Sequence, residues 1–81
     1  MSETEIKLSY PISVNGQEMT TLSMRRPKVK DTRAADKAAS DDAGKELQLF
    51  AYLTGCNPED LEELDMADYS KLQEAYSAFL S

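Results

Sequence analysis

One thiol, no histidine and three isolated glycines limit the chemistry open to this 81-residue chain. Cys56 has no imidazole anywhere in the sequence to serve as its base, and an unassisted thiol is a poor nucleophile at neutral pH. It also follows Gly55 at the end of a predicted helix, where the dipole disfavours a thiolate. A packed or idle cysteine is expected. The acidic run Glu59, Asp60, Glu62, Glu63, Asp65 and Asp68 offers oxygen ligands, but a calcium loop needs them at fixed alternating positions around a central glycine. Helix capping and solvation account for the run instead. Structural zinc wants four nitrogen or sulfur ligands, and the chain cannot supply them. Gly16, Gly44 and Gly55 stand singly, so no glycine-rich phosphate loop is formed. No catalytic residue, cofactor or metal is expected, and the chain reads as a binding protein.

The residues left with work to do are those suited to an interface. Arg25 and Arg26 stand together at a strand end, and Tyr52 and Tyr69 lie on predicted helices. Arginine and tyrosine are favoured at interface cores, so these four are the candidate partner-binding residues. The alternative is that both arginines pair with the chain's own acidic half. The charge is unevenly spread: residues 1–37 hold seven Lys/Arg and five Asp/Glu, whereas residues 38–81 hold two and ten. Such a split suits complementarity between the halves, between subunits or with a partner. The basic cluster from Arg25 to Lys37 lacks interleaved aromatics and sits in a chain of pI near 4.5, which argues against a nucleic-acid binder.

The elements that position these residues follow from pattern. Ile6, Leu8, Tyr10, Ile12 and Val14 alternate with polar residues, the signature of a strand with one buried face. Asn15-Gly16 then signals a hairpin, and the return strand runs to about residue 25, before Pro27. A two-residue turn would pair Val14 with Gln17 and send Leu22 and Met24 to solvent. A three-residue loop with a glycine bulge pairs Leu8 with Leu22 and Ile6 with Met24 on one face, and burial favours it. A first helix is expected over about 31–39, with a stripe of Ala34, Ala35, Ala38 and Ala39. A second runs over 42–54, its face built from Leu47, Phe50 and Ala51 and its end marked by Gly55. Asn57-Pro58 opens a third over 58–64, and Asp65 caps a fourth over 66–80 with Tyr69, Leu72, Tyr76, Phe79 and Leu80 facing the core. The fold class is therefore α+β, one domain with an N-terminal β-hairpin and three to four α-helices. The hairpin face with Leu8, Tyr10, Leu22 and Met24 should meet the helices.

A chain this short buries only about 60% of its unfolded surface, so a partner or a second copy is the expected extra stabiliser. The N-terminus lacks the basic and apolar regions of a signal peptide. No apolar run approaches the roughly 20 residues that span a bilayer. With one unpaired thiol, a reducing cytoplasm is the expected compartment.

The order of the motifs is more telling than any one of them. An alternating strand, Asn15-Gly16, a strand ending Arg25-Arg26-Pro27, then Ala34-Ala35-Asp36, Leu53-Thr54-Gly55, Asn57-Pro58-Glu59-Asp60-Leu61, Leu64-Asp65, Asp68-Tyr69 and Leu72-Gln73 run nearly the length of the chain. This sequence resembles the small tail assembly chaperones of Mu-like and P2-like contractile-tailed phages. It departs from them in the polar stretch Lys30-Asp31-Thr32-Arg33, where more apolar residues are expected. The resemblance implies a non-enzymatic role in virion morphogenesis in the host cytoplasm. The implied partner is the tape-measure protein, coated and kept soluble until the tail tube polymerises around it. It implies absence from the finished particle, and that this chain is the form not extended by a translational frameshift. An acidic nucleic-acid mimic or small regulatory binding protein, and a structural tail component, are the alternatives.

Overall fold

A computed structural model describes residues 3–81; Met1 and Ser2, the start of the segment that lacks signal-peptide features, lie outside them. Strand β1 (Glu3–Val14) pairs antiparallel with β2 (Gln17–Arg25), and four helices follow: α1 (Val29–Ala38), α2 (Asp42–Thr54), α3 (Pro58–Leu61) and α4 (Met66–Phe79). The α+β architecture is the one the pattern indicates.

The turn is the two-residue one. Val14 pairs with Gln17, and Asn15 and Gly16 both take positive φ (54° and 80°), the backbone of a tight turn matched to strand twist. This corrects the three-residue loop, yet Leu22 and Met24 are buried all the same. The register changes further along: Ile12 pairs with Met19 but Lys7 with Thr21, so Leu8, Ser9, Tyr10 and Pro11 stand against Thr20 alone. Three surplus residues shift the pairing by an odd number, and an odd shift exchanges the faces. Leu22 therefore faces inward opposite Ile6, not Leu8. Pro11, which cannot donate to a ladder, belongs in such a bulge. The bulge also turns Tyr10 outward, 60% exposed, against the expectation that it would join the core.

The helices cover the inner face of the hairpin. α2 lies against β2, α3 and α4 against β1, and α1 against α2. Phe50, Met24, Leu61 and Leu72 are the largest apolar side chains fully enclosed. The rings of Tyr69 and Tyr76 lean on Phe50 at centroid distances of 5.5 and 5.8 Å, a tilted geometry that aromatic pairs prefer.

Helix ends follow local chemistry. α1 starts at Val29, earlier than position 31, because the Asp31 carboxylate accepts the Lys28 N–H at 2.9 Å, half of a capping box. Of its alanine stripe only Ala35 is buried; Ala34 and Ala38 are exposed. Asp41 caps α2 by accepting from the Gly44 N–H at 3.2 Å. A Cβ on Gly44 would lie 2.7 Å from Asp41 Oδ1, so a larger residue here would push the capping side chain aside. Gly55 closes α2 in the left-handed conformation. α3 is shorter than expected: beyond Leu61 the chain continues as a turn, with the Leu64 N–H donating to the Leu61 carbonyl at 3.1 Å. Leu80, expected in the core at the end of α4, is 64% exposed.

Candidate partner-binding surface

The four candidate residues fall into two groups. The Arg25 guanidinium makes a two-pronged bond to Asp31, 2.9 Å to Oδ2 and 2.7 Å to Oδ1. Asp31 is only 5% exposed, so the pair ties the end of β2 to the first turn of α1. The arginine bonds hold the Asp31 carboxyl below the usual carboxylate range, outweighing the burial that would raise it. Tyr69 is committed too: its hydroxyl donates to Glu46 Oε1 at 2.9 Å, joining α4 to α2. Burial and that carboxylate push its phenol well above its ordinary value. Arg26 and Tyr52 remain accessible. Arg26 is exposed, with its guanidinium 5.7 Å from the Phe79 ring centroid and donating to the Phe79 carbonyl at 3.3 Å. Tyr52 is 36% exposed on α2.

A cleft of about 170 Å³ lies between α1 and α2. Ala35, Leu49, Phe50 and Tyr76 form its apolar floor. Its rim carries Thr32, Glu46 and a loose ion pair, Lys45 Nζ to Asp36 Oδ1 at 3.8 Å. Tyr52 follows Leu49 by three residues and Lys45 by seven, so it continues the same face of α2. Several large apolar side chains stand outside the core: Val29 at 78%, Met66 at 73%, Leu80 at 64% and Tyr10 at 60% exposure.

A family model described as phage tail assembly chaperone proteins, E, or 41 or 14, matches residues 5–81. The chain belongs to this family of phage tail assembly chaperones. No curated protein and no solved structure matches it. Membership carries a role in tail assembly and a tail-protein partner, and it implies work done by binding rather than by chemistry.

The ion pairs among the described residues are Arg25–Asp31, Lys45–Asp36 and Lys71–Asp68. None joins the basic stretch of α1 to the acidic run after α2. The arginine that does pair, Arg25, takes its acid from the same N-terminal half. The departure at Lys30-Asp31-Thr32-Arg33 is explained: Asp31 turns inward to Arg25, and the other three are exposed. No helix among the described residues is long and apolar enough to cross a membrane. Cys56 is a half-buried free thiol against the core.

The residue that sequence reasoning misplaced is Asp68. Read as a capping and solvating acid, it is fully buried. It accepts from the Ser9 and Tyr10 N–H groups at 2.9 and 3.0 Å, the donors that the β1 bulge removes from the ladder. Lys71 completes the site, with Nζ 3.0 Å from Asp68 Oδ1 and 2.9 Å from the Lys7 carbonyl. Burial would raise the Asp68 pKa, but the two backbone bonds and Lys71 together hold it below the ordinary value.

Proposed function

We propose that this chaperone binds the tape-measure protein in the host cytoplasm and shields its apolar helices until tail-tube protein polymerises around it. The observation that carries this reading is the surplus apolar surface: Val29, Met66, Leu80 and Tyr10 stand exposed, and the cleft between α1 and α2 has an apolar floor. Buried polar side-chain atoms among the described residues are all bonded, so the interior is complete and the uncovered apolar groups are on the outside. Apolar surface of this kind marks an interaction site, and long apolar helices are bound by laying their faces into such grooves. Arg26 and Tyr52 supply the accessible cationic and amphipathic contacts. Arg25 and Tyr69 act from behind, the first by fixing α1 and the second by fixing α4 against α2. The work is affinity, without catalysis.

Co-expression tests it directly. The soluble yield of tape-measure protein should rise with the chaperone present, and the two should co-purify. An unchanged yield, with the chaperone itself folded and abundant, would refute the reading. Mass spectrometry of purified virions should find no chaperone; its retention would instead make it a structural tail component.

A further inference from the structure

We propose that the α1–α2 cleft receives one bulky apolar side chain from a helix of the tape-measure protein, and that the outer face of α1 binds acidic residues of that same helix. This rests on the chaperone reading above and gives it a location and a partner chemistry. The cleft has the size for one anchor: a cavity of about 150 Å³ lined by apolar side chains accommodates a benzene ring, and this one is about 170 Å³. Its floor is Leu49, Phe50, Tyr76 and Ala35, and its rim is formed by Thr32, Glu46 and the loose Lys45–Asp36 pair, stretched to 3.8 Å. Such pairs are worth little and open readily.

The occupant's charge follows from α1. Lys30, Arg33 and Lys37 recur at intervals of three and four, so they form one stripe, away from the Asp31 and Ala35 side that is buried. All three are exposed, and none makes an ion pair among the described residues. In a chain of net charge −6, an exposed cationic stripe without close ion pairs of its own suits an anion brought from outside. Thr32 and Asp36, on the cleft side of α1, lie between this stripe and the apolar floor. A helix lying along α1 would place an apolar anchor in the cleft and acids three or four residues away against the stripe.

The test uses the full-length chaperone and tape-measure protein in a quantitative pull-down, with circular dichroism to establish that each variant folds. Thr32→Trp fills the cleft from an exposed helix position. The triple change Lys30→Glu, Arg33→Glu, Lys37→Glu reverses the stripe. Each should weaken binding at least about tenfold, and wild-type binding should fall with added salt while the triple variant's residual binding does not. The control Glu59→Lys, Glu63→Lys, away from the cleft, should bind like wild type. If the folded cleft and stripe variants bind as well as wild type, the proposal fails and the chaperone reading stands. If wild type itself captures no tape-measure protein, both fail. If Thr32→Trp leaves tape-measure binding intact but abolishes self-association measured by sedimentation, the occupant is a second copy of the chain, and the proposal is overturned.

Discussion

Asp68 and Asp31 hold the fold together at the residue scale, each by giving buried oxygen atoms to backbone N–H groups and to a basic side chain. Asp68→Ala would orphan the Ser9 and Tyr10 N–H groups, and Asp68→Asn would satisfy only one of them. Thermal melts should rank wild type above Asn and Asn above Ala. Both carboxyls have folded pKa values below their ordinary ones, so the unfolded chain binds more protons in acid than the folded one. Stability is then fully present above the unfolded value of about 3.9 and is lost as pH falls through the lowered folded values. Melts from pH 6 downward should show this loss, and it should be smaller in Asp68→Asn. Arg25→Ala leaves Asp31 buried with only the Lys28 N–H. Because the arginine is 38% exposed, solvent screening trims the cost to about 1 kcal/mol, read by denaturant titration. The long-range role of Asp68 was not legible in the sequence, nor was the pairing of Asp31 with Arg25. An acid in a first helical turn already has a local reason to be there, as a complement to the dipole and the cap, and nothing local signals a second partner 59 residues away.

The helices and hairpin were legible as elements because their periods differ and their ends carry distinct chemistry. Leu47 to Leu53 repeats at helical spacing, Asp41 and Asp65 accept backbone N–H groups as caps, and Gly55 has the left-handed backbone a helix end uses. The hairpin register was not legible. Alternation of apolar residues fixes which β1 residues face inward but says nothing of an odd insertion within the strand; Pro11 was the one sign of it. The helix–sheet core gives the next test. Leu72→Ala and Phe50→Ala should each cost about 2–5 kcal/mol in chemical denaturation, since both side chains are enclosed by the core. Gly44→Ala should cost about 1 kcal/mol, because the added methyl meets Asp41 Oδ1 and removes the α2 cap. A melt equal to wild type would show that the cap rearranges without loss.

At the scale of the whole molecule, the fold is flat, with extents of 30 × 28 × 19 Å, and its accessible surface is 5337 Å². A monomer of 9.0 kDa is expected to expose about 4,900 Å². A standard interface takes roughly 800 Å² from each partner, more than the difference, so covering the surplus is within the reach of one docked helix and its surroundings. Partner binding should therefore appear as stability. A ligand that binds only the folded state raises the unfolding free energy by about 2.7 kcal/mol at a hundredfold excess over its Kd. For a chain of this length each 1 kcal/mol moves the midpoint by roughly 4–8 °C, so a shift on the order of 10 °C or more is expected when tape-measure protein is added at that excess. The shift should grow with concentration and follow a chaperone-specific signal, such as the chaperone's own tyrosine fluorescence measured with a tape-measure fragment that lacks tyrosine and tryptophan. Arg26→Ala and Tyr52→Ala should reduce it without lowering the melt of the chaperone alone, because neither side chain is buried. Cys56→Ser should leave it unchanged, since the thiol has no role in contact. A midpoint that stays fixed as the partner is titrated would mean that the tape-measure protein does not distinguish the folded chaperone from the unfolded chain, and the binding role would have to be given up.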